Sequence, residues 1–100
     1  MDHELIWTLK ASADLEAIVR CIARRNPTAA AEIGQGIIER VEFLVSHPLA
    51  GSALHEPRDG PYRKILFRRW KIIYSFRNSQ ILIMRIWPAA LGAVDFGRPL

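Results

Sequence analysis

Apolar residues in the first half of the chain recur at the spacing of two amphipathic helices. Residues 4–9, which are rich in Ile, Trp and Thr, first predict a short strand. Ser12 then predicts the start of the first helix, because serine is a favoured N-cap and the acids Asp14 and Glu16 would lie in the first turn. The apolar stripe that we expect to face the core consists of Leu15, Ile18, Val19 and Ile22.

A second helix is predicted to begin at Asn26-Pro27, since asparagine caps well and proline at the first helical position loses no useful N–H. It is predicted to end at about Ser46. Its core stripe would consist of Ala30, Ile33, Ile37, Val41 and Leu44, widened by Ile38 and Val45. Glycine inside a helix costs up to ~1 kcal/mol relative to alanine. Gly34 and Gly36 therefore predict close contact with the first helix, and hence an αα-hairpin.

The second half of the chain changes to the period-2 alternation of β-strands. Residues 47–61 contain three prolines and two glycines and predict an irregular connection. Three strands are then predicted, at about residues 63–67, 71–76 and 81–87. Residues 77–80 have the composition of a tight turn between the last two strands. Pro88 is predicted to end the sheet.

The alternation divides this sheet into an apolar face and a mixed face. The apolar face would consist of Ile72, Tyr74 and Phe76 with Leu82, Met84 and Ile86. The mixed face would consist of Lys71, Ile73, Ser75 and Arg77 with Ile81, Ile83, Arg85 and Trp87. We expect the helix pair to cover the apolar face. The sequence thus predicts one α+β domain over residues 1–100, with the order β-α-α-β-β-β and an antiparallel sheet that packs a helical hairpin on one face.

Positive charge is concentrated in the second half of the chain. The net charge is +4, but residues 58–100 carry nine Lys and Arg residues against two acids. A local positive field of this kind attracts an anionic partner. Surface charges that serve only solubility would give the same composition, so charge alone leaves both interpretations open.

The composition also indicates where the protein works. Half of the residues are apolar and a quarter are charged, the balance of a globular domain. The one cysteine, Cys21, has no internal partner for a disulfide, which fits a reducing cytoplasm. The first residues do not resemble a signal peptide, and no apolar run approaches the ~20 residues that cross a bilayer. His3, His47 and His55 are too loosely spaced for a metal site. We therefore expect a cytoplasmic protein with no membrane association and no cofactor.

Several motifs occur in a recognisable order. They are A-x-x-D-L-x-x-I at residues 11–18, NPTAAAEIGQGI at 26–37, the helix end and proline–glycine break at 44–51, Tyr62-Arg63, Lys71-Ile-Ile-Tyr74, and the closing strand at 81–87. Their order and spacing resemble the RelE/ParE superfamily, the toxins of type II toxin–antitoxin operons that are often described as plasmid stabilisation proteins. The resemblance covers nearly the whole chain. It implies a compact toxin, neutralised by a cognate antitoxin whose tail wraps the sheet and helices.

The superfamily has two activities. RelE-like members are ribosome-dependent mRNA endonucleases, and ParE-like members poison DNA gyrase. Arg63 and Lys71 match the first two basic positions of the RelE-type site approximately, but its distal arginine would fall at Pro88-Ala89-Ala90, and no tyrosine follows Tyr74. Arg85 is either a stand-in for that arginine or a structural ion-pair partner. The resemblance therefore favours a ParE-like gyrase inhibitor that is not an enzyme. The alternative is a metal-independent endoribonuclease that uses Arg63, Lys71 and Arg85.

The cations and the tryptophan around the first hairpin of the predicted sheet are the candidates for binding the target or the antitoxin. These residues are Arg63, Lys64, Arg68, Arg69, Trp70, Lys71 and Arg85. At the hairpin tip, Trp70 could stack on a base or fill an antitoxin pocket. A non-catalytic nucleic-acid-binding module is a further interpretation, although no helix-turn-helix or RNA-binding signature accompanies the basic half.

Overall fold

The computed structural model describes residues 3–54 and 61–100 as two helices and a five-stranded sheet. In chain order the elements are β1 Glu4–Trp7, α1 Leu9–Ala23, α2 Pro27–Ser46, β2 Ser52–Ala53, β3 Tyr62–Phe67, β4 Trp70–Arg77, β5 Gln80–Pro88 and a 3₁₀ turn Ala89–Leu91. The strand order is β1-β5-β4-β3-β2, with β1 parallel to β5 and the other pairs antiparallel. The predicted α+β class and element order are confirmed. The two-residue strand β2 was missed, because it lies in the segment that was predicted to be irregular.

Helix α1 begins one turn earlier than predicted. Its N-cap is Thr8, whose Oγ1 accepts a hydrogen bond from the backbone N–H of Ala11 at 3.2 Å. The same hydroxyl donates to the carbonyl of Ile83 in β5 at 2.7 Å, which ties the helix start to the sheet. The prediction of Ser12 as the cap was therefore wrong. As a result Asp14 lies past the first turn and is buried.

Helix α2 agrees with its prediction at both ends. Asn26 caps it by accepting a hydrogen bond from the N–H of Ala29 at 3.0 Å, and Pro27 is its first residue. The predicted stripe is confirmed as buried: Ala30, Ile33, Ile37, Val41 and Leu44. Ile38 lies at its margin with 36% of its surface exposed. Caps and periodicity therefore suffice to define this helix.

The two helical glycines serve different contacts. A Cβ on Gly34 would lie 3.0 Å from Cγ2 of Val19 in α1, which confirms the predicted helix–helix contact. A Cβ on Gly36 would lie 2.3 Å from the ring of Phe67 in β3, so the prediction that Gly36 contacts α1 was wrong. Gly36 instead makes room for an aromatic ring of the sheet. The two glycines together allow α2 to pack closely against both α1 and β3.

A β-bulge changes the predicted faces of β5. Ile73 lies opposite Arg85 but Tyr74 lies opposite Ile83, so Met84 is an extra residue in β5. The core residues of β5 are Ile81, Ile83 and Ile86, each fully buried. The apolar-face prediction was right for Ile72, Tyr74, Phe76 and Ile86 and wrong for Leu82 and Met84. The reason is that one inserted residue reverses the alternation of every residue on one side of it.

The C-terminal segment, residues 92–100, packs on part of the outer face of the sheet, which points away from the helices. Lys71 donates from Nζ to the carbonyl of Gly92 at 2.9 Å, and Arg85 donates from Nη1 to the carbonyl of Asp95 at 2.6 Å. The ring of Phe96 packs on Tyr62 with centroids 4.8 Å apart. The centre of the outer face, at Ile73, Arg85 and Trp87, is therefore closed to solvent, whereas Leu66 of β3 on the same face is 55% exposed. Within the described residues, neither helix has the combined length and hydropathy that would span a membrane.

Candidate partner-binding surface

The tip of the β3–β4 hairpin presents two arginines on a fixed backbone. Arg68 and Arg69 are both exposed, and Arg68 has a left-handed φ of 52° in the turn. The carbonyl of Arg69 accepts a hydrogen bond from the N–H of Ala89 at 2.8 Å, which holds the tip against the end of β5. The Arg69 guanidinium lies 5.8 Å from the centroid of the Trp70 ring. The backbone of the tip is thus anchored while both guanidinium groups remain accessible.

Trp70 itself is a core residue. Only 8% of its surface is exposed, and it belongs to the main hydrophobic cluster together with Ile18 of α1. In this conformation the ring is not free to stack on a base. Trp70 nevertheless lines two hollows on the surface of the protein.

The cations on the strands are divided between the two faces of the sheet. Paired residues of an antiparallel ladder share a face. Arg63 is paired with Tyr74, on the helix side, and donates from Nη1 to the carbonyl of Gly51 at 2.6 Å. Lys64 is paired with Ile73, on the outer side, where Lys71 also lies. The structure therefore does not bring Arg63 and Lys71 together at one point.

Arg85 is held in a buried ion pair, which was one of the two roles predicted for it. Its Nε and Nη2 donate to the carboxylate of Asp14 at 2.7 and 2.8 Å, and the same carboxylate accepts from the N–H of Ile86 at 3.0 Å. Arg85 is 1% exposed and Asp14 is 3% exposed. The guanidinium also lies 5.0 Å from the ring of Trp87. Arg85 thus joins α1, β5 and the C-terminal segment, and its guanidinium does not reach the surface.

A second buried polar contact fixes the loop after α2. The hydroxyl of Tyr74 donates to the carbonyl of Pro48 at 2.9 Å and accepts from the N–H of Gly51 at 2.8 Å. Burial raises the pKa of the Tyr74 hydroxyl, although the Gly51 hydrogen bond and the charge of Arg63 act in the other direction. Tyr74, which was predicted as part of the apolar face of the sheet, therefore also holds a loop in place.

Two hollows with largely apolar walls lie beside Arg69. The larger, here called the C-terminal hollow, has a volume of about 540 Å³, and its lining includes Ala17 and Cys21 of α1 together with Leu91 and Leu100. The smaller, here called the helix-turn hollow, has a volume of about 320 Å³ and is lined by Ile22, Ile33, Arg68, Arg69 and Trp70. Neither hollow is predictable from the sequence, because both form where α1 meets the hairpin tip.

The histidines contribute no metal site among the described residues, which contain no group of three His, Cys, Asp or Glu side chains placed to hold an ion. His3 packs edge-on against Phe76 with ring centroids 4.9 Å apart, and His47 stacks on Phe43 at 4.3 Å. His55 lies outside the described residues. The two described histidines are therefore packing residues.

The chain matches a family model and several solved structures. Residues 5–90 match the model for the ParE toxin of type II toxin–antitoxin systems, parDE. The chromosomal ParDE toxin–antitoxin system from P. aeruginosa contains a chain that is 31% identical, with a TM-score of 0.74, over 86% of this chain and 95% of that chain. A comparison with curated proteins finds no match.

Two further structures share the fold at lower identity. The toxin–antitoxin complex RelBE2 from Mycobacterium tuberculosis is 16% identical with a TM-score of 0.63, covering 88% of this chain and 99% of that chain. A mutant of the E. coli toxin RelE in the free state is 11% identical with a TM-score of 0.66, covering 92% and 88%. At these identities the likeness concerns the fold alone. The family match and the P. aeruginosa structure go further: this chain belongs to the ParE toxin family of type II toxin–antitoxin systems.

Proposed function

We propose that this protein arrests bacterial growth by poisoning DNA gyrase, and that a cognate antitoxin neutralises it in the cytoplasm. The observation that carries the proposal is the match to the ParE toxin family over residues 5–90. The similarity to a ParDE chain at 31% identity supports the same branch of the superfamily. Gyrase is the target that the ParE-like branch implies.

The positions of the strand cations favour gyrase over RNA cleavage. Metal-free cleavage of RNA needs a base, an acid and cations arranged around one phosphate. Arg63 and Lys71 lie on opposite sides of the sheet and each donates to a backbone carbonyl. Arg85 is engaged by Asp14. The one cation after β5, Arg98, lies beside the C-terminal hollow. These cations are not arranged around one point, as the alternative ribonuclease mechanism requires.

The hairpin tip is the surface best suited to recognise the target. Arg68 and Arg69 are accessible, and their backbone is fixed by the contact to Ala89. Little conformational freedom of the main chain is then lost on binding, which favours affinity. Arginine also offers a planar fork of donors to carboxylates or phosphates.

The proposal is tested by assaying both candidate activities with one preparation of protein. We expect induction to stop growth with filamentation, and the purified toxin to inhibit gyrase supercoiling. Ribosome-bound mRNA should stay intact in a parallel assay. Cleaved mRNA with unaffected gyrase would refute the proposal and favour the endoribonuclease, and normal growth with verified soluble expression would refute both.

Site variants sharpen this test. The double variant Arg68→Ala with Arg69→Ala should reduce toxicity while the melting temperature changes little, because both side chains are exposed. Arg77→Ala is the matched control, since Arg77 is also an exposed arginine next to a hairpin turn of the same sheet. If the double variant is as toxic as Arg77→Ala at equal soluble level, the tip arginines only solubilise the hairpin.

A further inference from the structure

The two hollows adjoin each other. Ile22, Arg69 and Trp70 line both of them, so the hollows lie side by side with these residues between them. Arg69 is exposed on this ridge. A ligand that crosses the ridge would thus meet an apolar depression, a guanidinium and a second apolar depression in succession.

The surface is positively charged. Its lining includes three arginines, Arg68, Arg69 and Arg98, and no Asp or Glu side chain among the described residues. Within residues 3–54 and 61–100, the ion pairs are those of Arg20 with Glu16 and Arg85 with Asp14, so Arg68 and Arg69 have no carboxylate partner there. Arg98 differs, because its backbone N–H donates to the carboxylate of Asp95 at 3.1 Å. A carboxylate that arrived at the ridge would meet arginines able to form bidentate hydrogen bonds.

The apolar part of the surface is left uncovered by the fold. Leu91 and Leu100, which line the C-terminal hollow, are 45% and 41% exposed, and Cys21 in the same lining is exposed as well. Contiguous exposed apolar surface with a polar rim is characteristic of protein-binding sites. The aromatic ring at the site, Trp70, is buried in the core, so the exposed walls are mainly aliphatic. Aliphatic walls favour a peptide over a nucleic acid, which would need exposed rings on which to stack its bases.

We propose that the two hollows are the docking site for an acidic amphipathic segment of the antitoxin. One apolar side chain of the segment fills each hollow, and a carboxylate between them pairs with Arg69. This inference rests on the proposed function, because it supplies the neutralising step. A segment bound here covers Arg68 and Arg69, so neutralisation follows from occlusion of the surface that recognises the target.

Cys21 provides a direct test, because it is the only cysteine of the chain and lines the C-terminal hollow. The probe is the small protein encoded beside this gene, co-expressed and purified with the toxin. The rate of Cys21 alkylation by N-ethylmaleimide is followed by intact mass for the free toxin and for the complex. We expect at least roughly tenfold slower alkylation in the complex, as for any side chain shielded at an interface. Equal rates would overturn the docking site.

Variants test the charge and the cavity separately. Arg69→Ala should weaken the complex at least roughly tenfold. The affinity of the parent complex should also fall more steeply with added salt than that of the variant complex. Ala17→Trp should weaken it by filling the C-terminal hollow. The matched controls are Arg77→Ala and Ala31→Trp, which change exposed residues of the β4–β5 hairpin and of α2 away from both hollows. Parent-like affinity for both Arg69→Ala and Ala17→Trp, with the native circular dichroism spectrum, would overturn the proposal.

The outcomes separate this inference from the proposed function. If the neighbouring protein neutralises the toxin without protecting Cys21, the toxin function is supported and the docking site is overturned. If Cys21 is protected in the complex but the free toxin does not affect gyrase, the docking site is supported and gyrase is refuted as the target. Protection of Cys21 by single-stranded RNA or DNA, and none by the neighbouring protein, would overturn the peptide assignment.

Discussion

Replacing Asp14 with alanine should remove a large part of the stability of this domain. The carboxylate of Asp14 accepts three hydrogen bonds, two from Arg85 and one from the N–H of Ile86. Both side chains of the ion pair are almost completely buried. Alanine would therefore leave the backbone amide of Ile86 with no acceptor and the buried guanidinium with only the carbonyl of Asp95.

The expected magnitude follows from that burial. Removing one partner of a buried ion pair typically costs ~3–5 kcal/mol, because the remaining charge is desolvated without compensation. The amide of Ile86 adds to the loss, but the contributions share one carboxylate and do not sum independently. Since a domain of this size has a total unfolding free energy of roughly 5–15 kcal/mol, Asp14→Ala should leave it marginally stable.

The assay is urea unfolding followed by circular dichroism, with Glu16→Ala as the matched control. Glu16 lies two residues along the same helix and forms an exposed ion pair with Arg20. An exposed pair is worth ~0–1 kcal/mol, so this control should unfold close to the parent. The double variant Asp14→Leu with Arg85→Met should recover much of the lost stability, because it removes both buried charges.

One result would refute this reasoning. If Asp14→Ala and Glu16→Ala unfold within ~1 kcal/mol of each other, the buried pair is no more stabilising than an exposed one. The contacts of Arg85 to the C-terminal segment and to Trp87 would then have to hold the guanidinium by themselves.

Three further substitutions test the packing of the sheet. Gly51→Ala should destabilise the protein by ~1–3 kcal/mol in urea unfolding, because its Cβ would lie 2.6 Å from both a backbone carbonyl of β3 and the hydroxyl of Tyr74. Tyr74→Phe should cost ~1–3 kcal/mol by leaving the Gly51 amide unpaired. Because the pKa of Tyr74 is raised in the folded state, the contribution of its hydroxyl is complete below about pH 10 and is lost as the pH rises above that value, so parent and Tyr74→Phe should converge in stability at alkaline pH. Ile72→Ala removes a fully buried side chain and should cost ~2–5 kcal/mol, and a loss below ~1 kcal/mol would contradict its place in the core.

Local chemistry was enough to predict α2, and it was not enough for α1. Asn26 and Pro27 specify their helix start through their own backbone and side chains, so no distant residue is needed. At α1 the sequence offers two hydroxyl residues, Thr8 and Ser12, and both can cap a helix. The choice is made by the carbonyl of Ile83, which binds the Thr8 hydroxyl from across the sheet. A contact between residues so far apart in sequence leaves no local signal.

The bulge in β5 likewise depends on contacts between residues that are far apart in sequence. Residues 81–87 alternate in a way that permits either face to be buried, since both sets contain isoleucines. The extra residue at Met84 becomes visible only in the pairing of β5 with β4. The bulge places Arg85 beside Asp14 while keeping Ile83 and Ile86 in the core. The buried ion pair therefore depends on a register shift that period-2 reasoning cannot produce.

The cations of the second half illustrate why charge composition alone does not locate a binding site. Arg63, Lys71 and Arg85 all donate to backbone carbonyls, which are present at every residue and so give no pattern in a sequence. A charge that is held in this way stabilises the fold and is less available to attract a partner. Arg68 and Arg69 differ because their own backbone, rather than their guanidinium groups, anchors the tip. It follows that charge reversal at Arg85 should act through folding, whereas reversal at Arg69 should act through binding, and comparing the two under matched conditions separates structural charge from recognition.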